Sequence, residues 1–332
     1  MDTRKANVAV VGISIVDFLG LIEQIPIRGG AAPGSSLQIF PGGAGGTVST
    51  GLSRLGVSAS FVGQIGNDYF GQFLLSDFKR EGVDTSRLVV SDSHRTGVVF
   101  LVTDEDGERT GFEFRDGSAD TAVSPSVLDR EFVADQDLVY VDGIMLAAKP
   151  TESARTALGA AVLADDCDVP LVFDPNLRVA SNEISEYMRS VAEAIVALSD
   201  IVLLSEFEAE LLTGTAEPRE VARRLMDIGA SYVVLKNGPN GCSVLDGKSC
   251  VKVPAFKVDA VDTTGAGDAF SVGFMWGILK GHSLKDAAIM GNYVGSLVVQ
   301  TKGARTSLPR SIPSVKELVK LMESQGRSCQ SC

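Results

Sequence analysis

The chain has 332 residues, 45% hydrophobic and 22% charged, a composition that supports a sizeable core in one large α/β domain or two modest ones. Its formal net charge of −12 argues against a nucleic-acid partner, which needs a basic face, but not against a local phosphate site built on a helix terminus. No run of roughly 18 apolar residues appears, so no membrane partner is expected.

At the N-terminus, Arg4-Lys5 and the apolar run after it imitate a signal peptide. Asp17 interrupts that run, and a buried first strand over 7–13 reads better. Further short apolar runs alternate with amphipathic stretches, the pattern of βαβ units on a mostly parallel, doubly wound sheet sandwiched by helices. Strands are predicted at 59–63, 138–142, 171–174, 201–204 and 232–236. Helices are predicted at 45–55, 70–81, 151–165, 185–198, 218–228, 265–279, 284–299 and 315–324. Two segments break the alternation. Residues 22–40 are rich in Gly, Pro and Ser, and 96–114 alternate around the turn Asp104-Glu105-Asp106-Gly107. They are read as a small β-lid, drawn from parts of 14–40 and 88–118, on a single domain spanning 1–332. An exposed lid edge would pair with a second copy, so a homodimer is expected.

Gly247-Lys248-Ser249 almost imitates a phosphate-binding loop after Gly241, but the spacing is one residue too long and no helix follows. A hairpin turning at Asp246-Gly247 accounts for it. His94 and His282 leave little room for histidine triads or zinc clusters and read as surface residues. The odd count of five cysteines points to a reducing, cytoplasmic location, and the Cys329/Cys332 pair to a frayed tail.

The most informative stretch is Val261-Asp262-Thr263-Thr264-Gly265-Ala266-Gly267-Asp268-Ala269-Phe270. Apolar or small residues recur at 266, 269, 270, 273, 274 and 277, one face of a helix, with Gly273 and Gly277 allowing close packing on a sheet. The first turn of a helix has unpaired N–H groups and the positive end of the dipole, and glycines let an anion approach. Gly265, Ala266 and Gly267 therefore form an anion hole for a phosphoryl group, with Asp268 as the acid beside it. The competing reading makes Thr263 or Thr264 an N-cap and Asp268 a complement to the dipole.

The string 262–270 resembles the C-terminal signature of the PfkB/ribokinase carbohydrate kinase family. Pro41-Gly42-Gly43-Ala44-Gly45-Gly46-Thr47, running on to Leu55-Gly56, resembles its N-terminal signature. Between them lie Gly66-Asn67-Asp68-Tyr69-Phe70-Gly71, Glu81-Gly82-Val83-Asp84 and Asp174-Pro175-Asn176-Leu177-Arg178, so the resemblance spans nearly the whole chain in the expected order. It implies a ribokinase-like fold and ATP-dependent phosphorylation of a primary hydroxyl on a small sugar, with Mg2+. It makes Asp268 the base and Gly265–Gly267 the anion hole. Asp17 would bind substrate hydroxyls, and Gly42 and Gly43 would bend the lid. It also implies a K+ site from Asp262, Thr264, Val298, Thr301, Gly303 and Ser307.

The chain departs from the family at three places. Thr47 stands where the family usually has Asn. Ser205 replaces the Asn of an N-x-x-E pattern linked to magnesium and phosphate, while Glu208 is kept. Lys236 lies where the family often has Thr, before Gly238 and Gly241 of the ATP-binding strand end. It would neutralise phosphates or be a surface lysine. Arg178, for substrate or phosphate, and, on the lid, Arg115 are candidates; Arg178 is also readable as the partner of a surface carboxylate and Arg115 as a solvated lid arginine. Asp142 and Asp174 close strands, where ligands gather in open α/β sheets, or else cap the following loops. A nucleoside kinase, a keto-deoxy sugar-acid kinase and a non-catalytic sugar- or nucleotide-binding regulator remain as alternatives.

Overall fold

Along the first strand, β1 (Asn7–Val11), Val8 and Val10 face one layer of the core and Ala9 and Val11 the other, all fully buried. A strand covered on both faces needs helices on both sides. The protein, a computed structural model describing residues 4–104, 109–179 and 183–332, supplies them. In chain order there follow β2 (Ile15–Ile22), β3 (Gly34–Gly42), α1 (Ala44–Arg54), β4 (Ser58–Gly66), α2 (Tyr69–Glu81), β5 (Leu88–Ser91), β6 (Val98–Thr103) and β7 (Arg109–Phe114). Next come α3 (Arg130–Ala134), β8 (Leu138–Asp142), α4 (Glu152–Asp166), β9 (Leu171–Asp174), α5 (Glu186–Ala197), β10 (Ile201–Ser205), α6 (Glu206–Thr213), α7 (Pro218–Ile228) and β11 (Tyr232–Lys236). The chain closes with β12 (Cys242–Leu245), β13 (Cys250–Val253), α8 (Ala266–Leu279), α9 (Leu284–Val298), α10 (Val315–Ser324) and β14 (Gln330–Ser331).

The main sheet has ten strands in the order β14-β13-β12-β11-β10-β9-β8-β1-β4-β5. Neighbours from β11 to β5 run parallel, and β12, β13 and β14 are antiparallel. Helices α4, α5 and α7 cover one face, and α1, α8, α9 and α10 the other. From β1 the chain builds outward through β4 and β5, then returns to add β8 on β1's other side. The switch point lies between β1 and β8, where ligands gather beyond the carboxyl ends of the strands. Asp142, Asp174, Ser205 and Lys236 all end strands there, with Asp142 in register with Asp174 and Ser205 with Lys236.

A second sheet, β3-β2-β6-β7, forms the lid. Register places Asp17, Val99 and Glu113 in one row on one face and Phe18, Phe100 and Phe112 in the next row on the other. Phe18 stacks on Phe100 at 4.4 Å and meets Phe70 of α2 edge-on at 5.5 Å, which anchors the lid to the body. Leu37, Ile39, Phe112 and Phe114 leave apolar surface exposed on the same outer face. Residues 105–107 of the expected lid turn lie outside the described residues.

Several expectations change. Asp17 sits after the first strand as expected, inside β2 of the lid, whereas β5 joins the main sheet rather than the lid. Gly273 and Gly277 pack α8 against α9, not against the sheet: a Cβ at Gly273 would lie 2.5 Å from Met290 O, and one at Gly277 2.8 Å from Ala287 Cα. The chain end is not frayed. β14 covers the β13 edge, which would otherwise present unpaired backbone groups, and Cys332 forms a disulfide with Cys250 on that edge. Cys167, Cys242 and Cys329 stay free, which accounts for the odd count without a fully reduced chain. His94 is half-buried and hydrogen-bonded to Ser91 Oγ at 3.0 Å. Among the described residues, no helix is long and apolar enough to cross a membrane.

Candidate active site

Helix α8 opens at Gly265, whose φ of 75° is left-handed, with no side-chain cap. Neither Thr263 nor Thr264 serves as the N-cap. Ala266 N turns back to Thr263 O at 3.2 Å, while the amides of Gly265 and Gly267 meet no protein acceptor among the described residues. These are unpaired donors at the positive end of a helix of 14 residues. The glycine is required twice, since a Cβ at Gly265 would also overlap Ala304.

Asp268 stands one turn into α8, half-buried, on the wall of a cavity of ≈ 340 Å³ shared with Asp17, Gly43, Thr47, Glu113, Arg115, Asn176 and Arg178. Burial raises its pKa above the usual aspartate range; Lys236, Arg178, a hydrogen bond from Asn176 and Arg305 act in the opposite sense. Asp17 is only 7% exposed, and burial pushes it up to about 7. Its carboxylate lies directly against Gly42, where any Cβ would overlap it. Gly43, at φ 84°, turns the chain from β3 into α1. Thr47 faces the cavity, yet its hydroxyl donates to Gly43 O at 3.0 Å. Arg115 is not a solvated lid arginine: it binds Asp120 at 2.9 Å and the Ile144 carbonyl at 3.3 Å.

A second cavity, of ≈ 630 Å³, runs from this point along α9. Its walls include Ala255, Phe256, Val258 and Val299, its floor Lys236, Gly238 and Gly241. Thr263, Ala266, Gly267, Asn176 and Arg178 line both cavities, so the two meet at the start of α8. Lys236 is not a surface lysine. Its ammonium binds Asp174 at 2.7 Å, and a Cβ at Gly267 would sit 3.6 Å from Nζ. Burial pulls the Lys236 pKa down, but Asp174, Glu208 and Asp268 outweigh it and the ammonium ends favoured. Burial likewise pushes Asp174 up to about 6 against Lys236; its Oδ2 also accepts from Ser271 at 2.9 Å.

Ser205 and Glu208 close a capping box at the start of α6. Glu208 Oε2 accepts from Ser205 N and Oγ, both at 2.7 Å, and Oε1 from Leu177 N at 3.0 Å. Glu208 therefore braces the loop carrying Arg178, and its oxygens are already engaged. Asp262 Oδ1 accepts from Thr264 N at 2.9 Å and Oδ2 from Gly303 N at 3.0 Å, and Thr301 and Ser307 share a hydrogen bond of 2.7 Å. The loops around 262–264 and 298–307, with Val298 buried between them, thus lie side by side behind the anion hole.

Asp142 caps its own loop through Ile144 N at 3.1 Å and also accepts from Gly45 N at 3.1 Å and Asn176 Nδ2 at 3.3 Å. It joins β8 to α1 at the switch point, and burial, reinforced by Asp268, raises it to about 7. Three site residues escape the sequence reading. Asn176, at φ 42°, lies within a motif already singled out. Glu113 sits one strand from the hairpin turn, in register with Val99. Arg305 lies inside the 298–307 stretch but has no signal of its own.

A family model described as pfkB family carbohydrate kinase matches residues 5–311. Fructokinase-1 of Oryza sativa subsp. japonica is 32% identical over 332 residues, covering 98% of this chain and 100% of the relative. A 5-dehydro-2-deoxygluconokinase of Clostridium perfringens is 27% identical over 330 residues, covering 96% of this chain and 94% of the relative. A putative ribokinase II from E. coli superposes with a TM-score of 0.83 over 97% of this chain and 100% of that one, at 22% identity, and so shares the fold. With the family model matching most of its length and a relative 32% identical over all but its ends, this chain belongs to the pfkB family of carbohydrate kinases.

Proposed function

We propose that this enzyme moves the γ-phosphoryl group of ATP to a primary hydroxyl of a small sugar, with fructose as the reference acceptor. The observation that carries the reading is the meeting of two cavities at one unpaired helix terminus beside a carboxylate. The larger cavity has apolar walls for a purine and a cationic floor at Lys236 for phosphates. The smaller has polar groups converging from the lid and the strand ends.

In the proposed reaction Asp17 accepts sugar hydroxyls, Arg178 bridges the two cavities, and Asp268 orients the reacting hydroxyl. A bond forms between that oxygen and the γ-phosphorus as the bond to the bridging oxygen breaks. The hydroxyl proton passes to Asp268, and ADP leaves. Such transfers have loose transition states and rest mainly on positioning and charge stabilisation, which the Gly265 and Gly267 amides and Lys236 provide. Among the described residues no cluster of three acids, histidines or cysteines would hold a metal alone, so magnesium fits as an ion carried by the phosphates. Bound there, it would supply the remaining positive charge. Asp262 and the 298–307 loop are the reading's seat for a monovalent cation. Lid closure would keep out water, the competing acceptor. Pairing of lids through Leu37, Ile39, Phe112 and Phe114 would give a dimer.

A sugar acid is the second reading. Arg178 is exposed and lines both cavities, and the Clostridium perfringens relative is named for a keto-deoxy sugar acid. An ADP-release assay over D-fructose, D-ribose, 5-dehydro-2-deoxygluconate and adenosine decides. Highest kcat/KM with D-fructose supports the first reading and with the acid the second. ADP release with none of them would contradict both.

A further inference from the structure

Arg305 is 3% exposed, an arginine buried where the lid joins the body. Four segments meet on it. Nη1 binds Asp77 of α2 at 2.7 Å, and Nη2 donates to Gly42 O at the end of β3 at 2.6 Å and to Ser14 Oγ at 3.0 Å. Its own carbonyl accepts from Arg54 of α1 at 2.8 Å, and its guanidinium lies 5.2 Å from the Phe78 ring centroid. Gly46 is a glycine at the point where a Cβ would overlap Nη2. Gly42 is therefore held from two sides, by the guanidinium on its carbonyl and by the Asp17 carboxylate against its Cα. One residue of backbone separates the buried cation from the buried acid. The neighbouring residues are tied to the anion hole: Gly303 N binds Asp262, and Ala304 packs on Gly265.

We propose that Arg305 is a positioning residue for the sugar site, keeping the Asp17 carboxylate charged and turned into the cavity while fixing the lid hinge at Ser14 and Gly42. The proposal rests on Asp17 being a hydroxyl acceptor. Only the ionised form offers both oxygens to sugar hydroxyls; the acid form spends one position as a donor. Burial drives Asp17 towards the acid form, and Asp268, Asp262 and Glu113 drive it the same way. Arg305 is the opposing charge. Of the other charged groups around the hinge, Arg115 is taken up by Asp120 and Glu113, Arg80 by Asp77 and Glu81, and Arg54 by Glu81. Asp77, which also binds Arg80, tempers Arg305 in turn.

The test follows D-fructose KM and kcat against pH in wild type, Arg305→Met, Asp77→Asn and Asp17→Asn. In wild type KM falls as pH rises through about 7, where Asp17 titrates. In Arg305→Met that midpoint moves up by about one to three units, so KM at neutral pH rises about tenfold or more and recovers in alkali. In Asp77→Asn, where the guanidinium loses its counter-charge but keeps a hydrogen-bond acceptor, the midpoint moves down. Asp17→Asn removes the pH step. In sugar-free protein labelled at aspartate Cγ, the resonance that Asp17→Asn deletes shows the same two opposite shifts, so the readout does not depend on turnover. An Asp17 midpoint unmoved in both variants, with affinity lost equally at every pH, would overturn the role of Arg305 and leave Asp17 as acceptor. Unchanged KM in Asp17→Asn would remove the acceptor reading itself, and the role of Arg305 with it. Should Arg305→Met fail to fold, the sign of the Asp77→Asn shift decides alone.

Discussion

In the proposed reaction Lys236 serves packing and chemistry together. Asp174 is fully buried, and its Oδ2 holds Lys236 and Ser271 under the anion hole. The ammonium lies close enough to Gly267 to help a bound phosphate, and it opposes the raised pKa of Asp268. Lys236→Met should raise the KM for ATP about ten- to a hundredfold, the range for a charged hydrogen bond. In the proposed reaction Asp268 is the acceptor when ionised, so activity should fall as pH drops through its raised pKa. Removing the ammonium raises that pKa further, and the acid limb of kcat/KM moves to higher pH. An unchanged ATP KM and an unmoved limb would leave Lys236 as a partner for Asp174 and nothing more. Some residues of this kind are legible in sequence and some are not. Asp268 and Gly265 stand out in the sequence because they share one helix start. Arg305 does not, since its partners come from residues 14, 42, 54 and 77 and no spacing encodes their meeting.

Elements were legible where burial imposes a pattern. Strands β8, β9 and β11 and helices α7 and α10 have the bounds read from the sequence, because each is a short apolar run or a clear amphipathic stretch between turn residues. Strand β3 escapes that logic: most of it is exposed and it contains Gly, Ser and Pro, so alternation does not mark it. Helix α6 was missed because it follows β10 without a loop, although Ser205 and Glu208 are the two ends of a capping box. The start of α8 is the element on which the chemistry depends. Gly265→Ala would place a Cβ against Ala304 at a left-handed backbone position. The helix end must then shift, and a displacement of about 1 Å at such a site costs about a hundredfold in rate. The expected outcome is a fall in kcat of that order with sugar KM changed much less. A variant with normal kcat would show that the helix end does not need this geometry.

For the whole molecule, acids gathered at the switch point and on the lid above it cost stability. Asp17 and Asp142 rise to about 7 and Asp174 to about 6 from a value of 3.8, so the folded state binds protons that the unfolded chain releases. Their contribution to stability is full below the unfolded value and is lost as pH rises through the folded one. Asp68, Asp84 and Glu81 shift the other way: burial raises Asp68 and Asp84, but hydrogen bonds prevail, and Arg54 leads in lowering Glu81. Their contribution is lost in acid. Stability should therefore peak at mildly acidic pH and fall towards neutrality, while sugar affinity rises over the same interval. Thermal melting against pH checks this, and a Tm that climbs steadily from mild acid to mild alkali would contradict it.

The proposed reaction rests on Asp268 as acceptor of the hydroxyl proton beside the Gly265 and Gly267 amides. Steady-state turnover of Asp268→Asn with ATP and the best acceptor, alongside its ATP affinity by titration calorimetry, tests that most directly. A fall in kcat of about a hundred- to ten-thousandfold with ATP affinity within a few fold is the expected result. Turnover near that of wild type would contradict it.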